Sequence, residues 1–427
     1  MSARRAATES TPLRRRFFVL LTLRWFQTGL QVPVLVLVLQ ARGLSLGSVG
    51  VVAAVFGLAT AIFELPTGGL ADVLGRRQVL IASAVLFVLE SVALGLGQDF
   101  AVFVAAAAVG GVGRALDSGP LEAWFVDSVH YVVPDASLGR DLARAKTVEA
   151  AAAGLGALAG GALVALAPLP AGGELVIDLS IPFLVSGGIC MWMLVATVGW
   201  IHEPKRVARP SLGAVVIDVP QTIRRGLRLA AGRGPLRRIT ILMASMGVAL
   251  STVELLAPAS FAHILGGEDE AAGPYAVLVT LGFFGSATGS LQAPSAARLL
   301  HSSSRAITAA RLFGACAVLS LATSSFALSA VAIVAFYALN GIARPLISDI
   351  LHRSVSSKQR ATVLSVQSLT FQLAGVLAAL TIAPLAQTSP GIAFGIGAGV
   401  LAVGSAACIS MPSPNNPTRP ARVLRDP

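Results

Sequence analysis

The sequence predicts an all-α membrane protein, with twelve transmembrane helices in two pseudo-symmetric six-helix bundles. Three observations predict it. Of the 427 residues, 55% are hydrophobic and only 12% charged, against about 25% charged in an ordinary soluble protein. Apolar runs long enough to cross a ~30 Å hydrocarbon core, at ~20 residues each, recur twelve times. The basic residues collect in alternate loops, as they do when those loops stay in the cytoplasm.

The runs lie at roughly 17–40, 46–67, 78–97, 100–128, 144–168 and 181–201, then at 238–262, 274–298, 306–325, 328–351, 361–386 and 390–411. The Arg-rich start, Arg4 to Arg16, precedes an apolar run too long for a signal-peptide core, so residues 1–16 are read as a cytoplasmic N-terminus and the run as the first span. Residues 17–202 form the first bundle and 238–411 the second. Between them, 203–237 is the longest polar stretch. Its Ile223, Leu227 and Ala230 share a face beside Arg224, Arg225 and Arg228, which predicts an interfacial helix. The tail, 412–427, is rich in Pro, Asn and Arg and is read as disordered.

Of the 32 Lys and Arg, Arg24, Arg114 and Arg344 fall within spans and Arg42 in the first short loop; the other 28 go to the termini and alternate loops. The opposite loops hold Asp99, Glu174, Asp178, Glu268, Asp269 and Glu270. Both termini are therefore expected in the cytoplasm, in a bacterial plasma membrane given the excess of Arg over Lys. The net charge of +11 is spread over loops, not gathered on a soluble domain, which argues against nucleic acid. Cys190, Cys316 and Cys408 sit inside apolar runs and read as free thiols.

Ten residues, Gly68-Gly-Leu-Ala-Asp-Val-Leu-Gly-Arg-Arg77, form the charged break between the second and third runs. Gly68 and Gly75 allow positive φ and close approach of two helix ends. Asp72 can cap the next helix, and Arg76 and Arg77 hold the loop inside. This Gly-x-x-x-Asp-x-x-Gly-x-Arg pattern resembles the loop signature of the major facilitator superfamily of membrane transporters. The likeness covers essentially the whole chain. Arg114, Pro120-Leu121 and Arg144-Ala-Lys-Thr-Val148 in the first half are echoed by Arg344-Pro345-Leu346 and Arg360-Ala-Thr-Val363 in the second, as expected of two six-span repeats. The equivalent loop of the second half, Gly289 to Arg305, has no acid, which argues against a sugar porter. The resemblance implies that Asp72 faces the end of span eleven and that Arg76 pairs with Asp127 at the inner end of span four, although Val73 replaces the usual basic residue. Gly154-Leu-Gly-Ala-Leu-Ala-Gly-Gly161 is similar to the antiporter motif of drug exporters, with Ala157 where proline is expected. Close helix packing explains those glycines equally well.

Ionisable residues deep in a span cost ~2.5–3.5 kcal/mol each on insertion scales. The first half holds Arg24, Glu64, Glu90, Arg114, Asp117 and Glu122. Two arginines cannot neutralise four acids, so at least one acid titrates or lines a wet cavity. Polar stripes at helical spacing fall on span one (Arg24, Gln27, Thr28, Gln31), span four (Arg114, Asp117, Ser118), span seven (Ser251, Glu254) and span ten (Tyr337, Asn340, Arg344, Ser348). The resemblance implies that these four spans line a central cavity; helix–helix glue is the alternative. Asp117 is the first candidate for proton coupling and Glu254 the second. Glu64 and Glu122 fit either coupling or a structural link to Arg24. Trp25, Phe26, Trp124, Phe283, Phe284 and Phe371 can offer an apolar wall to a ligand. The five histidines sit at span ends or loops.

There is no Gly-Lys-Ser/Thr phosphate loop, no His-Glu-x-x-His and no complete dinucleotide loop, so no enzyme activity, cofactor or metal is expected. The reading is a monomeric secondary transporter, with proton-coupled efflux of a small amphipathic drug or metabolite by alternating access. The alternatives are an importer or uniporter of the same fold and a non-transporting membrane sensor or scaffold.

Overall fold

A computed structural model describes residues 3–134, 136–166, 175–203, 235–354 and 357–409. The predicted interfacial helix in 203–237 and the tail lie almost wholly outside them. The described residues form fourteen α-helices and no strand: α1 Ala3–Gln31, α2 Leu35–Ala41, α3 Leu46–Leu74, α4 Arg76–Leu96, α5 Phe100–Asp117, α6 Pro120–Val132, α7 Gly139–Leu166, α8 Ile181–Trp200, α9 Pro235–Leu265, α10 Glu268–Leu299, α11 Ser303–Ser320, α12 Phe326–Ser354, α13 Ser357–Thr388 and α14 Pro390–Ile409.

Fourteen helices make twelve crossings because two crossings are broken. Pro33 has no N–H to donate, and the chain turns there before α2 begins. The predicted span 100–128 is two helices. Gly119 has φ +97°, a left-handed conformation, and Pro120 starts α6 at its first turn, where a missing N–H is harmless. Eleven crossings are long and apolar enough to span a bilayer. The twelfth, α11, falls short because it carries Arg305 and Arg311. Arg311 lies mid-helix, in the predicted span 306–325. It joins the arginines within spans and lowers the 28 given to loops and termini to 27.

Large apolar side chains lie open on many helices: Leu155 on α7, Val195 on α8, Phe313 on α11, Leu377 on α13 and Val403 on α14 are all more than half exposed. A water-soluble monomer does not tolerate apolar surface on this scale. Lipid is the solvent that suits it.

Contacts group the chain into two units. The first comprises residues 1–38, 58–219 and 272–280; the second comprises 39–57, 220–271 and 281–427. In the first, Phe17 stacks on Phe125 at 4.2 Å between ring centroids, beside the buried Trp124, Phe87 and Val129. The α1 and α7 backbones touch: a Cβ on Gly29 would strike the Ala153 carbonyl, and one on Gly156 or Gly160 would strike that of Phe26 or Leu30. Residues 272–280 of α10 join the same unit, where Thr280 Oγ1 donates to the Gly154 carbonyl at 2.9 Å. The glycines of the 154–161 segment thus have packing partners. The second unit repeats the device, with Gly247 of α9 against the Phe371 carbonyl of α13. Its core gathers Ile239, Ile307, Ala343 and Ile347.

Candidate functional site

The break between α5 and α6 places a carboxylate at the end of a half-helix. Asp117 is the last residue of α5, where unpaired carbonyls make the helix end negative. A cation should sit there, and Arg24 of α1 does. Its Nε donates to Asp117 Oδ2 at 2.5 Å, and the guanidinium is only 4% exposed. Arg24 also donates to Thr28 Oγ1 and lies 4.3 Å from the Phe87 ring centroid. The space beside the pair, lined by Leu20, Arg24, Leu80, Asp117, Leu121, Met193 and Thr197, holds about 10 Å³, roughly one water molecule.

Other charges surround this pair. Arg114, one turn before Asp117, lies within electrostatic reach of Asp117, Glu64 and Glu149. The partner of Asp117 is therefore Arg24 of another helix, and Arg114 faces several acids. Glu90 of α4 is buried, and Gly110 makes room for it: a Cβ there would collide with the Glu90 carboxylate. Arg24 is within electrostatic reach of Glu90 as well. Glu122 is exposed in the first turn of α6, the positive end of that helix.

Gln27 and Gln31 turn into the unit. Gln31 Nε2 donates to Ser186 Oγ at 2.7 Å and Ser91 Oγ at 3.0 Å, and Ser186 Oγ donates to Gln27 Oε1 at 3.0 Å. This network ties α1 to α4 and α8, and Gln27 is 3% exposed. In the second unit Glu254 is exposed on α9 and Arg344 is exposed on α12. Tyr337 packs between Phe336 and Phe283, with centroids 5.6 and 6.3 Å away. Asn340 Oδ1 accepts from Arg311 Nη1 at 3.2 Å.

The loop between α3 and α4 forms a second cluster. Gly75, at φ +99°, reverses the chain. Arg76 Nη1 pairs with Asp127 Oδ2 at 2.5 Å and also reaches the Ala123 carbonyl. Arg77 uses its backbone: its N–H donates to Glu203 Oε1 at 2.5 Å, and its Nη2 donates to the Val198 carbonyl at 2.8 Å. Glu203 thus places a carboxylate on the first turn of α4, where an anion is favoured. A Cβ on Gly75 would come within 3.0 Å of it. The side chains of residues 65–69 and of Asp72 lie outside the described residues.

Three of these residues escape sequence reasoning. Glu149 sits amid small residues on α7, and Arg311 hides in an apolar run. Glu203 is offered only as the start of a polar linker. Its signal is an acid directly after a span, followed by Pro204.

The family model described as Major Facilitator Superfamily matches residues 17–379, most of the chain. The chain belongs to the major facilitator superfamily. Among curated relatives it is similar to the quinolone resistance protein NorA of Staphylococcus aureus (strain MRSA252), at 24% identity over 199 residues. That match covers 45% of this chain and spans about half, 47%, of the relative. Among solved structures, the nucleoside transporter NupG superposes with a TM-score of 0.74 at 11% identity, covering 93% of this chain and 98% of that one. The xylose transporter XylE from E. coli, in its inward-open conformation, gives 0.68 at 14%, with coverages of 94% and 97%. Identities this low establish the shared fold. The protein is a multi-pass membrane protein of the superfamily.

Proposed function

We propose that the protein exports a small amphipathic compound in exchange for protons, acting as a monomer in the plasma membrane with both termini in the cytoplasm. The observation that carries this reading is the charge cluster enclosed in the first unit. Arg24, Asp117 and Glu90 lie together inside membrane-spanning helices, with Arg114 one turn away. Intramembrane ionisable groups are costly and mark ion or substrate pathways. A helix broken at the site is the usual way for a transporter to bring backbone polarity to its ligand.

Asp117 is the proposed proton carrier, with Arg24 as the cation that releases it. When Asp117 takes a proton its ion pair is lost, and Arg24 keeps Thr28 and the Phe87 ring. When Arg24 returns, the proton leaves. Glu254 is the second candidate, and Glu64, within electrostatic reach of Arg114, and Glu122 are the further ones. Tyr337, Asn340 and Arg344 are the proposed substrate contacts of the second unit. The relation to a quinolone resistance protein supports export, although it covers only half of each chain.

The test is made in proteoliposomes. Asp117→Asn is expected to abolish gradient-driven uphill transport while retaining substrate exchange. A mutant that still concentrates substrate refutes the coupling role. Cells expressing the protein should resist part of a compound panel, and an uncoupler should remove that resistance. Transport that ignores the uncoupler would assign a uniporter instead.

A further inference from the structure

Among the described residues Arg311 is a cation without a paired carboxylate. It lies eight residues from the start of α11 and nine from its end, about 12 Å from either terminus at 1.5 Å per residue. It is 2% exposed. One nitrogen, Nη1, donates to Asn340 Oδ1 of α12 at 3.2 Å and also meets Met246 Sδ of α9. Nε and Nη2 are buried and have no acceptor among the described residues. No described carboxylate pairs with Arg311. On its neighbouring helices, Glu254 follows Met246 by eight residues and Asp349 follows Asn340 by nine. Both are about 12–14 Å further along.

Arg311 is poorly supplied with acceptors: Asn340 Oδ1 and the Met246 sulfur both meet the same Nη1, and the buried thiol of Cys408, close enough for its charge state to act on Arg311, is at best a weak acceptor. Guanidinium has five N–H groups and no acceptor. The oxygen of Asn340 must face Arg311, since two donors cannot bond, so its NH₂ is left to donate elsewhere. Arg344, four residues on from Asn340 and so on the same face of α12, is close enough for its charge to act on Arg311. Thioether sulfur is a weak acceptor and is already engaged. A cluster of donors with two positive charges is complementary to a ligand that supplies acceptors and negative charge.

We propose that Arg311, with Asn340 and Arg344, receives an anionic group of the transported compound, a carboxylate or another acceptor-only anion. This inference rests on the transporter reading and names its substrate class: amphipathic compounds carrying at least one negative group. The planar Nε and Nη2 edge matches a carboxylate in a two-point fork. Exposed Arg344 meets the anion first. The half-buried Asn340 and the flexible Met246 then yield the inner edge, and thioether side chains repack readily.

A structural role predicts the opposite behaviour on substitution. Replacing a satisfied buried cation would loosen the unit. Replacing an unsatisfied one by an apolar side chain of similar length is neutral or stabilising. The test uses purified full-length protein, with thermal unfolding followed at constant ionic strength in sodium benzoate, benzamide, phosphate and chloride. Benzoate is expected to raise the Tm of the wild type, and benzamide, its uncharged analogue, is not. Arg311→Met should unfold at or above the wild-type temperature without ligand and lose the benzoate response at least tenfold in concentration, whereas Arg311→Lys should keep part of it. Phosphate or chloride matching benzoate, with the same loss in Arg311→Met, identifies an inorganic occupant of the same anion site. An equal benzoate response in Arg311→Met and the wild type overturns the proposal, as does a wild type indifferent to every anion. Binding in detergent requires neither coupling nor direction. A protein that binds benzoate but moves nothing therefore fails only the transport reading. One that exports neutral compounds at the wild-type rate with Arg311→Met fails only this one.

Discussion

Arg24 serves Asp117, Thr28 and Phe87 at once, so its loss and that of Asp117 should not be equivalent. Removing one partner of a buried pair leaves the other charge uncompensated, at about 3–5 kcal/mol. Arg24→Gln is expected to lower the melting temperature more than the double variant Arg24→Gln/Asp117→Asn. A double-mutant cycle read by thermal unfolding in detergent checks it; additive single effects would mean that the pair contributes little. Both charges are legible as breaks in apolar runs. Their partnership is not, because helical spacing fixes the face a residue occupies and leaves its neighbouring helix open. Arg114 is nearer to Asp117 in sequence, yet the carboxylate turns to Arg24. Gln27 and Gln31 teach the same lesson: their stripe is legible, but its partners Ser91 and Ser186 lie 60 and 155 residues from Gln31. Arg311 is missed for a related reason, since one long side chain among small and apolar neighbours barely disturbs the pattern.

Two elements are shaped by a glycine at positive φ, the break at Gly119 and the joint at Gly75. A side chain at φ near +100° is strained by about 1–3 kcal/mol. No atom of the described residues stands within 4 Å of the place a Cβ on Gly119 would take, so Gly119→Ala isolates that backbone term. It should destabilise by about 1–2 kcal/mol and shift the balance of conformations, read as slower exchange across proteoliposomes. At the joint, Glu203→Gln removes the charge on the first turn of α4 but keeps an acceptor. It is expected to cost about 0.3–1 kcal/mol, less than Arg76→Ala, which removes both the ion pair to Asp127 and the hydrogen bond to the Ala123 carbonyl. If the joint is a latch, both variants should raise labelling of a cysteine placed at Ser128 in unfolding-free conditions; unchanged labelling would leave the loop a topological marker. The glycine and arginine pattern makes the joint legible. The break is legible only as Pro120, because a proline and a glycine inside a long apolar run leave its hydropathy intact.

At the scale of the molecule, the apolar runs and their loops predict twelve crossings, and the fold has them. Long crossings dominate such a sequence because hydrocarbon tolerates little but helix. The orientation is a matter for chemistry. With exposed Cys316 changed to Ser and Cys190 and Cys408 left buried, single cysteines at Ser10, Arg233 and Asn415 should resist an impermeant thiol reagent in intact cells. One at Glu268 should react. Labelling of Arg233→Cys before permeabilisation would reverse the assignment. Boundaries of the two units are less legible: residues 39–57 and 272–280 group with the unit opposite to the bundle their sequence position suggests. Sequence order does not report such exchanges, because a helix can hold to different neighbours along its two halves.

The low hydropathy of α11 bears on how the chain is made. Ile307, Leu312, Phe313, Val318 and Leu319 together return roughly 1.5–3 kcal/mol on partition from the translocon, while Arg311 alone opposes them by roughly 2.5–3.5. This helix should hesitate at the lateral gate until α12, arriving from the ribosome, offers the amide of Asn340. In nascent chains whose α12 is still inside the ribosome, a cysteine at Ala317 should then react with a water-soluble thiol reagent, and in chains with α12 emerged through Ser354 it should be protected. Arg311→Leu should remove the delay. The same guanidinium that waits for an anion in the finished carrier would thus make α11 and α12 enter the membrane as a hairpin.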